Sequence, residues 1–231
     1  MIRKAYLTID DSPSGFMKEK VDFLKLEKIP ALFFCRGDFM EKDHETVIYA
    51  IKNGFVIGNH GYSHKHFSNI NTKECINEIL KTENIIVSLY KEANVKRGTK
   101  YFRYPYGTKG NILYGSLKIV FRKFDRKFLL VEKYLKELGY KPLKIDNYEK
   151  RFPEYFMMHD TDSYWTFDIG EWKMAKHLLE FSAIEKRISD NLTNHSGNEI
   201  FLVHDHEQSH AYFEKIVNRL KSIGYNFLQV K

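Results

Sequence analysis

The chain has 231 residues, of which 43% are apolar and 29% are charged. This balance is ordinary for a soluble globular protein, and the length suits one sizeable core in a single domain over residues 1–231. No window approaches the roughly 20 apolar residues that a membrane span needs, and no signal peptide is recognisable after Met1. We therefore expect a cytoplasmic protein, on the condition that Met1 is its natural start.

The formal net charge is +7, which weakly favours acidic partners such as phosphorylated glycans or anionic lipid. The chain has neither a compact basic tail nor a nucleic-acid-binding motif, so no nucleic-acid partner is expected. The two cysteines, Cys35 and Cys75, form no CxxC pair and are typical of reduced, buried thiols. The sequence does not indicate an oligomeric state.

Short apolar runs alternate with longer helical patterns, and this alternation favours an α/β fold. The predicted strands are Ala5–Ile9, Ala31–Cys35, Phe55–Gly58, Lys100–Tyr104, Pro142–Ile145, Tyr155–His159, Glu199–Val203 and Asn226–Val230. The predicted helices are Phe16–Glu27, Asp43–Asn53, Thr72–Ala93, Lys127–Leu138, Glu171–Asn191 and Tyr212–Ile223. The less regular stretch Thr108–Lys127 is rich in basic and aromatic residues, and we interpret it as an insertion that is too short to fold alone.

Polar side chains follow directly after several of the predicted strands. The carboxyl ends of parallel strands form the active face of a barrel, so these groups are expected to converge. They are Asp10-Asp11, His60 with His64, Arg103-Tyr104-Pro105-Tyr106-Gly107, Asp160 with Asp162, and His204-Asp205.

His60 and His64 stand four residues apart, a spacing at which two imidazoles on one helical turn can share a metal ion. By spacing alone, two surface histidines are the commoner explanation. Asp11 supplies an anionic oxygen ligand, and two histidines with one carboxylate leave open positions for water and substrate. These donors suit one zinc ion, and cobalt, nickel or manganese are also compatible with them.

Asp10 and Asp11 are adjacent acids after an apolar strand. They fit an Asx turn that caps the next helix, although a cap needs one acid, whereas a metal ligand beside a general base uses both. His204 also follows an apolar strand, where a hydrogen-bonded structural histidine is the commoner case. As an imidazolium it would protonate a leaving amine, and His206 and His210 are rivals for that role.

Five segments carry motifs, and together these motifs resemble the polysaccharide deacetylases with the NodB homology domain, carbohydrate esterase family 4. The similarity covers Leu7 to Val230 except Thr108–Lys127, and it implies a distorted parallel (β/α) barrel with about seven principal strands. The segments are Thr8-Ile9-Asp10-Asp11-Ser12-Pro13, which resembles Thr-Phe-Asp-Asp-Gly-Pro of the family, Ile29–Phe34, Asn53–His64, Phe102–Gly107 and Leu202-Val203-His204-Asp205.

The resemblance implies a role for each matching residue. Asp11, His60 and His64 would bind one divalent ion, and Asp10 would be the general base, oriented by Arg103. His204 would be the general acid, while the backbone N–H of Tyr106 would face the oxyanion. Pro105, Leu202 and Trp165 would contribute to substrate binding.

The fourth motif of the family, commonly Asp-Ser-x-Asp-Trp, has its nearest counterpart at Asp160-Thr161-Asp162-Ser163-Tyr164-Trp165, which lacks the second acid. We assign Asp162 as the acid that keeps His204 protonated, with Asp160 as the alternative. Trp165 would form a wall of the acetyl pocket.

Together these assignments predict a metal-dependent hydrolase that removes an N-acetyl group from a sugar or glycan. The alternatives are a hydrolase of a different amide, a cyclic imide or an O-acyl substrate, and a non-catalytic glycan-binding relative. The stretch Thr108–Lys127 is either a surface helix packed on the barrel or a basic rim that recruits an anionic or lipid-linked sugar.

Overall fold

The computed structural model describes residues 3–109, 125–148, 161–175 and 180–230. Within this part of the chain, six parallel strands form one sheet with the order β3-β2-β1-β5-β4, and β6 pairs with the start of β1. As far as these residues go, the sheet is open, as in a distorted barrel, and the predicted α/β class is confirmed. The strands are β1 (Arg3–Ser12), β2 (Ala31–Cys35), β3 (Val56–Asn59), β4 (Phe167–Asp168), β5 (Glu199–His204) and β6 (Tyr225–Phe227).

Eight helices accompany the sheet in the described residues. They are α1 (Met17–Leu26), α2 (Gly37–Met40), α3 (His44–Lys52), α4 (Thr72–Glu92), α5 (Arg126–Glu137), α6 (Trp172–Ala175), α7 (Phe181–Leu192) and α8 (His210–Ser222). The longest, α4, begins with a capping box in which the Asn71 side chain and the Glu74 side chain satisfy each other's backbone N–H groups. In the described residues, no helix combines the length and apolar character needed to cross a membrane.

Two predicted strands and one predicted helix differ in the structure. Lys100–Tyr104 lies beside β3 but forms only isolated bridges, from Phe102 to Asn59 and from Lys100 to Tyr140, and Pro142–Ile145 forms no strand. The single helix predicted over Glu171–Asn191 is wrong, because Glu180 has extended backbone (φ −85°, ψ 157°) immediately before α7. The predicted strand Tyr155–His159 and most of the predicted insertion lie outside the described residues.

The central strands are buried on both faces, which explains their nearly continuous apolar sequences. Along β2, Phe33 packs in the large cluster beneath the outer helices, while the alternate residues Leu32 and Phe34 face a second cluster inside the barrel. Cys35 and Cys75 are free and buried, as predicted. This packing fixes β1 and β5 side by side, with Asp10 in register with His204 at their carboxyl ends.

A buried ion pair lies beneath that edge of the sheet. Lys20 of α1 contacts Asp205, the residue after β5, and their side chains are 1% and 0% exposed. Asp205 also accepts hydrogen bonds from the backbone N–H of Ser14 at 2.8 Å and from its hydroxyl at 2.7 Å. The pair therefore links the turn after β1, helix α1 and the turn after β5.

We expect Lys20→Met to lower the free energy of unfolding by roughly 3–5 kcal/mol, because it leaves a buried carboxylate without its cation. The measurement is urea denaturation followed by circular dichroism. Lys18→Met is the matched control, since Lys18 pairs with Asp22 in the same helix but at the exposed surface. Equal midpoints for the two variants would contradict a structural role of the buried pair.

Candidate active site

One cavity of about 490 Å³ opens at the carboxyl ends of the strands. Residues at or just after the carboxyl ends of β1, β3, β4 and β5 meet there, as the positions of the polar groups predict. Among the described residues, its lining comprises Asp10, Asp11, Arg36, His60, His64, Tyr106, Gly107, Trp165, Asp168, Trp172, Leu202, His204 and His206.

Asp11, His60 and His64 bring three metal-ligating atoms together. One ligand atom of each lies within 4.8 Å of the other two, and Asp11 Oδ1 is 3.7 Å from His60 Nε2 and 2.9 Å from His64 Nε2. Among the described residues, Asp11 Oδ1 is buried and has no hydrogen-bond partner beyond these histidine contacts. Two imidazole nitrogens and one carboxylate oxygen that converge in this way fit a divalent cation.

The protonation states of His60 and Asp11 suit metal binding. Burial lowers the pKa of His60 to about 4, so its ring is neutral near pH 7. Its Nδ1 lies 2.9 Å from the carbonyl oxygen of Arg103, and an N–H at that atom leaves the Nε2 lone pair for the cluster. Burial opposes ionisation of Asp11, but a hydrogen bond from His206 and the nearby His64 hold the pKa of Asp11 well below its usual range.

The turn that carries the two histidines is fixed from α4. Glu78 accepts hydrogen bonds from the backbone N–H groups of Tyr62 and Ser63 at 2.9 and 2.7 Å, and from the Ser63 hydroxyl at 2.8 Å. His64 itself has left-handed backbone (φ 57°), as does Asp11 (φ 63°). Such backbone is unfavourable for residues with a side chain and concentrates at functional sites.

Asp10 stands beside the cluster and is held by Arg103. The guanidinium Nη1 donates to Asp10 Oδ1 at 2.7 Å, while Asp10 Oδ2 lies 3.6 Å from His60 Nε2. Arg103 is fully buried, so this charge-assisted hydrogen bond is shielded from water. The geometry agrees with the predicted orientation of Asp10 by Arg103.

His204 meets a carboxylate that the sequence analysis did not identify. Its Nδ1 lies 3.0 Å from Glu171 Oε1, which also accepts a hydrogen bond from the His204 backbone N–H. Burial alone would lower the pKa of His204, but the charge and hydrogen bonding of Glu171 raise it to about 9. The ring is therefore an imidazolium near pH 7.

The predicted pairing of Asp162 with His204 is wrong. Asp162 instead accepts a hydrogen bond from Lys109 at 2.6 Å, and the alternative Asp160 lies outside the described residues. The segment Asp168-Ile169-Gly170-Glu171-Trp172 has the spacing acid-x-x-acid-Trp, with Glu in place of the second Asp. This segment lines the cavity through Asp168 and Trp172, and burial raises the pKa of Asp168.

The predicted substrate-binding residues occupy different positions. Trp165 and Leu202 line the cavity. Tyr106 lies at its mouth, 56% exposed, with its ring stacked on His66 at a centroid distance of 3.7 Å. Pro105 is buried and is absent from the described lining.

Gly107 is required by the approach of Trp165. Its φ is +61°, and a Cβ at this position would lie 2.9 Å from Trp165 Cη2. A larger residue would therefore displace the indole ring that forms part of the cavity wall.

The two rivals of His204 are separated by the fold. His206 lines the cavity, and its Nε2 lies 2.9 Å from Asp11 Oδ2. His210 stacks on Phe16 at 4.1 Å and pairs with Glu19 at 3.0 Å. Spacing alone could not separate them, because both follow β5 within a few residues.

Known proteins share both sequence and fold with this chain. A family model described as polysaccharide deacetylase matches residues 2–118. A peptidoglycan-N-acetylglucosamine deacetylase from Bacillus cereus is 34% identical over 141 residues, which cover 61% of this chain and 47% of the relative. The matched region thus spans about half the length of that relative.

Two solved structures show the shared fold at low sequence identity. A family 4 carbohydrate esterase from Streptomyces lividans, in complex with acetate, has a TM-score of 0.68 and 18% identity, covering 99% of this chain and 93% of the other. A CE4 family pseudoenzyme from Bacillus anthracis has a TM-score of 0.67 and 17% identity, covering 99% and 64%. With a family model matched over just over half of its length, this chain belongs to the polysaccharide deacetylase family.

Proposed function

We propose that this protein is a metal-dependent deacetylase that hydrolyses an N-acetyl group on a glycan and releases acetate and a free amine. The observation that carries the proposal is that three groups of interacting residues lie at one cavity. These are the Asp11–His60–His64 cluster, Asp10 held by Arg103, and His204 charged by Glu171. The similarity to a peptidoglycan-N-acetylglucosamine deacetylase supports an N-acetylated glycan as the substrate.

The metal would be held by Asp11, His60 and His64, whose donor set suits zinc. Cobalt, nickel and manganese also accept two nitrogens and one oxygen. A divalent ion in such a site lowers the pKa of water and polarises a carbonyl oxygen. Asp11 would contribute negative charge that offsets part of the charge of the cation, and the two imidazoles would contribute lone pairs.

Asp10 is the proposed general base. Its carboxylate lies beside the ligand cluster and takes a proton from the attacking water, while Arg103 fixes the position of the carboxylate from the buried side. Arg103 already donates to one lone pair of Asp10 Oδ1. The proton therefore goes to a lone pair of the carboxylate that Arg103 does not occupy. Arg103 is thus a positioning residue.

His204 is the proposed general acid. The amide nitrogen must gain a proton before it leaves as an amine, and an imidazolium held by Glu171 can donate one. The backbone N–H of Tyr106 would donate to the amide oxygen as negative charge develops there. Trp165 and Leu202, which line the cavity, would contact the acetyl methyl group.

The direct test is acetate release by metal-loaded protein from N-acetylglucosamine oligomers and from peptidoglycan fragments. An O-acetylated glycan and a cyclic imide, assayed in parallel, distinguish the other hydrolases. Binding of the oligomers without release of acetate would favour the non-catalytic relative. Recruitment of anionic or lipid-linked glycans by Thr108–Lys127 stays a separate prediction.

Purified wild-type protein should carry about one divalent ion per chain, and His60→Ala should lose it, because a three-ligand site does not tolerate removal of a buried imidazole. Elemental analysis by mass spectrometry measures both. His44→Ala, at the exposed start of α3, is the control and should keep the ion. Equal metal content in His60→Ala and wild type would refute the ligand assignment.

Asp10→Asn should keep the ion but lower kcat by roughly a hundredfold or more, since the amide cannot accept the proton of water. Steady-state rates and metal content are measured on the same preparation, so a loss of rate through a loss of metal is recognised. Unchanged kcat with the ion in place would move the base role to another residue.

Glu171→Gln should move the alkaline limb of kcat/KM to lower pH. The imidazolium is the active form, its pKa is raised to about 9 by Glu171, and removal of that charge lowers the pKa, so the proton is lost earlier as pH rises. Asp162→Asn is the matched control and should leave the limb in place, since Asp162 contacts Lys109. If the alkaline limb moved in Asp162→Asn and not in Glu171→Gln, Asp162 would be the acid that keeps His204 protonated.

A further inference from the structure

His206 is a cavity residue that the proposed mechanism does not use. It begins the turn after β5, its side chain is 29% exposed, and its Nε2 lies 2.9 Å from Asp11 Oδ2. We propose that His206 is the positioning residue of the metal-binding carboxylate, holding Asp11 so that only Oδ1 is presented to the ion. The inference rests on the proposed metal role of Asp11, His60 and His64.

The two oxygens of Asp11 have different surroundings. Oδ2 accepts from His206, whereas Oδ1 is buried and, among the described residues, faces only His60 and His64. The terminal torsion of an Asp side chain is broad, so a carboxylate without an external contact can rotate or bind through both oxygens. The hydrogen bond from His206 selects one orientation in advance, which lowers the cost of binding.

The same contact argues against His206 as a fourth ligand. An ionised carboxylate only accepts hydrogen bonds, so His206 Nε2 carries the proton in this contact and its lone pair is not available to a metal. Among the described residues, the group of convergent ligand atoms at this position comprises Asp11, His60 and His64. His206 therefore acts on the ion through Asp11.

The fold holds His206 in place through its neighbour. The backbone N–H of Asp205 donates to the carbonyl oxygen of Asp10 at 2.8 Å, and the Asp205 carboxylate is anchored by Lys20 and Ser14. The residue before His206 and the residue before Asp11 are thus tied directly to each other. These contacts fix the relative backbone positions of the residues that carry the Asp11 carboxylate and the His206 ring.

The test is the Zn²⁺ dissociation constant of metal-free protein, measured without substrate by competition with a chromophoric chelator. Loss of an outer contact to a ligand typically costs 10–100-fold in metal affinity, and we expect a loss in that range for His206→Ala. His206→Gln should recover most of the affinity, because its Nε2 can donate at nearly the same position. His210→Gln should match wild type, since His210 packs on Phe16 and Glu19.

Circular dichroism establishes that each variant is folded. Wild-type affinity in His206→Ala, or equal losses in His206→Ala and His206→Gln, would overturn the inference. Co²⁺ absorption at saturation should be the same in wild type and His206→Gln, since the ligands are unchanged. A shifted spectrum would make His206 a ligand and would also overturn the inference.

His60→Ala separates this inference from the proposed function. Tight binding in wild type that His60→Ala abolishes supports the metal site itself, and a His206 series without effect then refutes only the positioning role. Equally weak binding in wild type and His60→Ala would remove the metal site and the positioning role together.

Discussion

The buried guanidinium of Arg103 is the contact on which the rest of the site depends. It donates to Asp10 and to the Thr8 hydroxyl on β1 at 2.7 and 2.8 Å, and to the carbonyl oxygen of Ser163 at 2.7 Å. The backbone carbonyl oxygen of Arg103 lies 2.9 Å from His60 Nδ1. A buried cation is tolerated only when it is paired and hydrogen-bonded. Arg103 meets that condition and thereby fixes the proposed base and one metal ligand from a single position.

The cavity also keeps two buried groups charged against the effect of burial. Burial favours the neutral form of both Asp11 and His204. Asp11 nevertheless stays anionic and His204 cationic, because hydrogen bonds and charges from their neighbours stabilise the ionised forms. The partners are His206 with His64 on one side and Glu171 on the other. A negatively charged carboxylate cluster and a positively charged imidazolium therefore line one cavity, as the proposed hydrolysis of an amide requires.

The convergence of polar residues at the ends of β1, β3 and β5 was predictable, because parallel strands bring their carboxyl ends to one edge of the sheet. Glu171, the partner of His204, was not predicted from the sequence, and the reason is physical. Glu171 lies immediately before a short helix, in a stretch whose polar and apolar pattern indicates one continuous helical segment. Its acid-x-x-acid-Trp spacing is a signal for the fourth motif, but Asp160-Thr161-Asp162-Ser163-Tyr164-Trp165 offers a competing match to the same motif. Lys100–Tyr104 has the pattern of a strand, but its backbone pairs with Asn59 on one side and with Tyr140 on the other only through isolated bridges.

Fold similarity alone does not decide between catalysis and glycan binding, because the same scaffold is found in a pseudoenzyme. The local energetics favour catalysis. Asp11 and His64 both carry left-handed backbone, which costs about 1–3 kcal/mol at each residue. A domain that only held a glycan would become more stable if these features relaxed. Under the proposed function, a cation in the cluster would offset these costs, which links the backbone of Asp11 and His64 to the proposed metal site.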